Sequence, residues 1–137
     1  KKIKILVIDD DPNIRRLISL LMKDKGWQVI TAEDAGRGFE AALLEKPDLI
    51  ILDIIMPGLN GLELLRWFRR NEKSRKVPIL MLSADTSQNS QTTAILRRAD
   101  AYITKPFDLA GLYKAVDKLL PSHGRKIKNG KNSNAAE

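Results

Sequence analysis

The sequence contains no cysteine. That excludes a disulfide framework, thiolate metal ligands and a cysteine nucleophile, and leads us to expect a reducing, cytoplasmic setting. It also lacks any apolar run near the roughly 18 residues that a membrane span needs; the run Leu49–Leu52 is cut short by Asp53. No signal-peptide pattern is read at the start, where Lys1-Lys2-Ile3 leads straight into a strand-like run. The single histidine, His123, falls in a polar tail and is expected to be solvated. What is present is the composition of a globular chain: 137 residues, 43% hydrophobic and 30% charged, enough for one domain with one core. The formal net charge is +7, and the segment from Pro121 holds four of the cations and one acid. The body is then mildly basic with its charges scattered over several expected helix faces, which argues against nucleic acid as its partner.

Short β-like runs alternate with amphipathic helical stretches, five of each. Ile3–Ile8 is β-branched and apolar. Asp11 offers an N-cap with Pro12 at the first helical position, and Ile14, Leu17, Ile18 and Leu21 follow at helical spacing up to Gly26. Trp27–Thr31 reads as a second strand, and Ala35–Glu45 as a helix capped by Asp34 and stopped by Pro47. Leu49–Leu52 has the continuous apolar character of a central parallel strand. A helix is expected from Gly61 with Leu62, Leu65 and Phe68 inward, started by Asn60 and Glu63 as a capping box. Pro78–Leu82 is the fourth strand. The polar stretch Ser83–Thr93 leads into a weakly amphipathic helix ending near Arg98, and Ala101–Ile103 is a short fifth strand. Asp108 caps a last helix with Leu109, Leu112, Val116 and Leu119 on one face. Trp27 and Trp67 read as packing residues, Trp67 partly exposed. Regular βα alternation argues for an α/β fold, a doubly wound five-stranded parallel sheet, with residues 1–120 as the domain and 121–137 as a flexible basic tail or the start of a linker.

In such sheets ligands bind beyond the carboxyl ends of the strands. There the sequence sets Asp9 and Asp10 after the first strand, Asp53 after the third, Ser83 after the fourth, and Thr104-Lys105-Pro106 after the fifth. Three clustered carboxylates repel one another and need a cation. Mg²⁺ suits them, because it takes oxygen ligands, usually one or two carboxylates plus waters and phosphate oxygens. With Mg²⁺ and Lys105 as counter-charges an incoming phosphoryl group is tolerated, and an Asp carboxylate can act as its nucleophile. In this reading Asp53 is the phosphoacceptor. Asp10 holds the metal directly, and Asp9 does so directly or through water. Ser83 donates to one phosphoryl oxygen, and Lys105 pairs with another. Asp11 is assigned as a cap and not as a metal ligand. Lys105 as a plain salt-bridge partner of Asp53 is the competing reading.

These strings resemble the response-regulator receiver family: Ile5-Leu6-Val7-Ile8-Asp9-Asp10-Asp11, Asp53-Ile54-Ile55-Met56-Pro57, Asn60-Gly61, Ser83-Ala84 and Tyr102-Ile103-Thr104-Lys105-Pro106-Phe107, in the family's order and spacing over about residues 3–120. The resemblance implies the flavodoxin-like strand order 2-1-3-4-5, an order for which a chemotaxis receiver is itself a standard example. It implies a cis Lys105–Pro106 peptide, the backbone carbonyl of Ile55 as a further metal ligand, and Tyr102, together with Ser83, as the switch. It also implies phosphorelay partners: a sensor histidine kinase or phosphotransfer protein upstream, a protein target or an output domain downstream, and a phosphorylation-dependent homodimer as a further option. It implies no enzyme in the usual sense, only a domain that catalyses its own phosphorylation and slow dephosphorylation.

The chain departs from the family where a Gly usually precedes the approach to strand five. Arg98 stands there, which implies a different and looser end to the fourth helix. Ile55 is apolar at a position that, with Asp85, influences phosphoryl lifetime in the family. Two other readings remain open: a degenerate receiver that only binds protein, and an Asp-nucleophile phosphatase. The second fits less well, because that family carries its nucleophile after the first strand in an Asp-x-Asp pattern, whereas this chain has Asp9-Asp10-Asp11-Pro12. A third, nucleic-acid binding through Arg125–Lys131, rests on a few cations and gives only weak, salt-sensitive attraction.

Overall fold

Residues 2–54, 61–83 and 97–120 are described by the computed structural model. They form β1 (Lys4–Ile8), α1 (Pro12–Asp24), β2 (Gln28–Ala32), α2 (Ala35–Glu45), β3 (Leu49–Asp53), α3 (Gly61–Arg70), β4 (Ile79–Ser83), β5 (Ala101–Thr104) and α4 (Leu109–Leu119). The strands make one parallel sheet in the order β2-β1-β3-β4-β5. This is the doubly wound, flavodoxin-like arrangement that the βα alternation and the family resemblance led us to expect. The polar stretch after Ser83 and the helix expected to follow it lie outside the described residues, as does Asn60 of the expected capping box; Arg97 and Arg98 form a turn. No described helix is long and apolar enough to cross a membrane.

Burial on both faces explains the unbroken apolar strands. Leu6, Ile8, Ile50, Leu52, Ile79 and Met81 point to one side and pack with Ala35, Ala42, Leu64, Leu65 and Phe68 from α2 and α3. Ile5, Val7, Leu49, Ile51, Leu80 and Leu82 point to the other and meet Ile18, Met22, Leu112 and Val116 from α1 and α4. Trp27 is half-buried against the second core, and Trp67 packs edge-to-face on Phe39, centroids 5.6 Å apart.

The caps follow the sequence. Asp11 accepts from the Asn13 amide, Asp34 from Arg37 and Asp108 from Gly111, each satisfying an orphan donor of the first turn. Three helix faces differ from expectation. In α1, Leu17 is exposed while Ser19 and Met22 are buried; in α4, Leu109 is exposed while Leu112 and Val116 are buried. Both leucines sit at the edge of the inward stripe, where the angular step of about 100° per residue turns them off the sheet. In α3, Leu64 is fully buried and Leu62 only half-buried.

Four strands run one residue further than their apolar runs suggest. Parallel pairing carries Ala32 opposite Ile8, Asp53 opposite Leu82, and Ser83 opposite Thr104. Asp53 and Ser83 are therefore the last residues of strands and not the first of loops.

Candidate functional site

The rim at the carboxyl ends of β1, β3 and β5 is where the sequence places its polar residues. Asp53 closes β3 and is 4% exposed; Asp9 follows β1 and is fully buried; Asp10 beside it is exposed. The three carboxylates each offer an oxygen within 4.8 Å of the others. Lys105, just past β5, turns its ammonium toward the same point. Its Nζ lies 3.4 Å from Asp53 Oδ1 and 3.6 Å from Asp9 Oδ2. The Lys105–Pro106 peptide is cis.

Several contacts build Asp9 into this position. Its amide donates to the Ala32 carbonyl at 3.2 Å, and its Oδ1 accepts from the Asp11 amide at 2.9 Å. Its own carbonyl accepts from Arg15 Nη1 at 2.8 Å. Asp9 Oδ2 is left buried with no hydrogen bond among the described residues. A buried carboxylate oxygen without a donor is costly unless a cation completes it. The donor set is three carboxylates, all hard oxygen ligands, so the rim fits a hard divalent cation such as Mg²⁺.

β3 is supported from below by Gly61. A Cβ at that position would collide with the Asp53 carbonyl oxygen and sit 2.7 Å from Ile54 Cα. The Gly61 amide instead donates to the Ile54 carbonyl at 2.7 Å. Glycine is needed here for close backbone approach, and it lets α3 begin directly under the residue that carries the buried carboxylate.

Of the residues singled out in the sequence, Asp9, Asp10, Asp53 and Lys105 come together. Ser83 ends β4 beside Thr104 of β5. Tyr102 lies on β5 with its residue 47% exposed. Ile55 lies outside the described residues. Two supports were missed in the sequence. Arg15 was not singled out, although its place six residues after Asp9, on the first turn of α1, could have flagged it. Gly61 was read as a helix start, and only the packing shows what it makes room for.

Fold and rim define a class: a doubly wound α/β domain with an acidic crevice and an opposing lysine at the carboxyl edge of its sheet. The family model described as the response regulator receiver domain matches residues 5–117, and the chain belongs to that family. It is 37% identical over 117 residues to the transcriptional activator protein PfeR of Pseudomonas aeruginosa, covering 85% of this chain and 37% of PfeR. It is 31% identical over 117 residues to protein PilH of the same organism, covering 85% of this chain and 97% of PilH. Among solved structures it is similar to the response regulator protein TrrA of Thermotoga maritima in complex with Mg²⁺-BeF, with a TM-score of 0.77, 35% identity, and 86% of this chain and 99% of that one covered. The chain thus spans little more than a third of one curated relative and nearly all of another.

Proposed function

We propose that residues 1–120 are a phosphorelay receiver that accepts a phosphoryl group on Asp53 from a phosphohistidine donor, in a Mg²⁺-dependent reaction, and uses it to switch a partner-binding face. The observation that carries this reading is the buried Asp53 carboxylate, with Lys105 3.4 Å away and two further carboxylates within 4.8 Å. TrrA, solved with Mg²⁺-BeF, supports the same metal for this rim.

Asp10 and Asp9 would hold the metal, with the Ile55 carbonyl as a further ligand by family resemblance. When bound, Mg²⁺ supplies positive charge against the carboxylates and the phosphoryl oxygens. The chain's own residues do the rest. An Asp53 carboxylate oxygen attacks phosphorus, the P–N bond to the donor imidazole breaks, and an acyl phosphate remains on Asp53. Lys105 offsets the charge of one phosphoryl oxygen, and the Ser83 hydroxyl donates to another. Phosphoryl transfer asks mainly for positioning and charge neutralisation, so these few groups suffice.

The switch is the one the family resemblance implies. The phosphoryl group draws in the Ser83 hydroxyl, and Tyr102, half-exposed on β5, turns inward into the space given up. This is a shift between two populations, biased by the charge on Asp53. The donor is a sensor histidine kinase or phosphotransfer protein of the cytoplasm. The output is a docked target or a further domain, and the chain turns over nothing but its own phosphoryl group. Ile55 hinders an attacking water and slows loss of phosphate; an unchanged dephosphorylation rate in Ile55→Asn would remove that role.

Incubation with acetyl phosphate and Mg²⁺, followed by intact mass, tests the proposal. One phosphoryl adduct is expected, labile in base, dependent on the metal and absent in Asp53→Asn. A wild-type chain that stays unmodified leaves a protein-binding module, and many turnovers of a small phosphate ester would instead indicate a phosphatase.

A further inference from the structure

The positive charge of the domain is not scattered over its helix faces as expected above; its excess falls in one short stretch. Between positions 66 and 76 six cations, Arg66, Arg69, Arg70, Lys73, Arg75 and Lys76, stand against the single acid Glu72, while the rest of residues 1–120 balances to within one charge. Arg69 is used internally: its guanidinium serves the carbonyls of Arg98, Arg75 and Val77 and pairs with Asp100. The other five are exposed. Among the described residues none of the five makes an ion pair, whereas elsewhere on the surface Lys4 meets Glu45 and Arg37 meets Asp34. The acids sharing this surface, Asp48, Glu63 and Glu72, are outnumbered by the exposed cations, and the excess of like charge costs the isolated domain stability and is relieved by a negative partner.

The stretch borders a cleft of about 380 Å³. Pro47, Val77 and Pro78 give it an apolar wall, and Lys73, Arg75 and Lys76 stand on its edge, with Asp48 and Glu72 also lining it. Pro47 and Asp48 precede β3, while Val77 and Pro78 precede β4. In a parallel sheet those are the amino ends of the strands, so the cleft lies across the sheet from the carboxylate rim. Strands of five residues separate the two by about 16 Å. On α3 the exposed edge of Trp67 lies between Arg66 and Arg70 and extends the surface.

We infer that this amino-edge surface docks an acidic segment of a partner protein, with an apolar side chain of that segment against the half-buried Val77 and Pro78 and its carboxylates on Lys73, Arg75 and Lys76. The apolar wall favours a peptide over nucleic acid, whose phosphate-backbone recognition relies on cationic and hydrogen-bonding contacts. Docking at this edge leaves the carboxylate rim open, so a partner seated here can hold the domain while Asp53 is modified.

The test uses the full chain and a synthetic peptide of alternating glutamate and leucine, followed by amide NMR shifts at low salt. Shifts at residues 66–78 are expected, weakening as salt rises. Reversing three exposed charges (Lys73→Glu, Arg75→Glu and Lys76→Glu together) should raise the dissociation constant about tenfold or more, as expected when several weak surface pairs turn repulsive. Neutralising Arg125, Lys126, Lys128 and Lys131 should leave it unchanged. The inference is overturned by equal binding to the charge-reversed chain, by loss of binding in the tail variant, by the absence of shifts at residues 66–78, or by tighter binding of a DNA duplex of matched charge to the same residues.

Discussion

Two ion clusters hold the edges of this sheet, and they are built in opposite ways. At Arg69 every contact is short. The guanidinium donates to the carbonyls of Arg98, Arg75 and Val77 at 2.8, 3.0 and 2.8 Å and to Asp100 Oδ2 at 2.8 Å, and that oxygen also accepts from the Ile79 amide at 2.8 Å. The end of α3, the loop before β4 and the approach to β5 are tied through one side chain. At Lys105 the contacts are long, 3.4 and 3.6 Å, one ammonium serves a cluster of three carboxylates by reaching two of them, and a buried oxygen of Asp9 has no hydrogen-bond donor among the described residues. A saturated cluster gains nothing from a ligand, whereas an unsaturated one is stabilised by whatever brings positive charge or donors.

The sharpest way to break the comparison is Arg69→Ala. Four hydrogen bonds vanish, one to a carboxylate, and Asp100 loses its counter-charge while still bound to Ile79. A loss of about 3 kcal/mol in urea unfolding is expected, the scale of a charged hydrogen-bond hub with partial water compensation. A loss below about 1 kcal/mol, the ceiling for ordinary surface pairs, would make Arg69–Asp100 one more of them.

Next in size is the response to metal. A cation that binds only the folded rim should add about 2.7 kcal/mol at a free concentration one hundred times its dissociation constant. Thermal unfolding with and without Mg²⁺ reads this, and Asp10→Ala should remove it, since the exposed Asp10 carboxylate completes the set of three. An equal response in Asp10→Ala would place the metal elsewhere.

The contrast between the clusters also explains what could be read from the sequence. The carboxylate rim was legible because its residues fall at strand ends, a place fixed by βα alternation alone; Asp9, Asp10, Asp53 and Lys105 needed no packing detail to be brought together. Asp11, Asp34 and Asp108 were legible as caps, because a cap acts within three residues of itself. The Arg69 hub was not. Its partners are backbone carbonyls and an acid 31 residues away, and no local pattern announces them. Arg98 shows the same limit. The glycine expected there by resemblance would suit a left-handed helix end, yet Lys46 is the non-glycine with positive φ among the described residues. Arg98 instead turns with its carbonyl held by Arg69 Nε, so a distant side chain does the work that glycine does elsewhere. Leu17 and Leu109 erred for a related reason: spacing places a residue on a stripe but does not say how wide the sheet beneath it is.

The smallest expected effect decides between the two readings of Lys105. If the ammonium were a plain salt-bridge partner, Asp53→Asn would lower stability, as removing one side of a buried pair does. If instead three carboxylates crowd one ammonium, removing one of their charges relieves more repulsion than the attraction it forfeits. Unfolding in a chelator at neutral pH should then show Asp53→Asn more stable than wild type, by about 1 kcal/mol, with the gain shrinking as salt screens the rim. Adding Mg²⁺ should reverse the order, because wild type gains the metal's stabilisation and the variant, short of one ligand, gains less. A variant that is less stable in chelator and equally responsive to Mg²⁺ would put Lys105 in the same class as Arg69, and the acidic rim would be a structural feature with no poised charge to exploit.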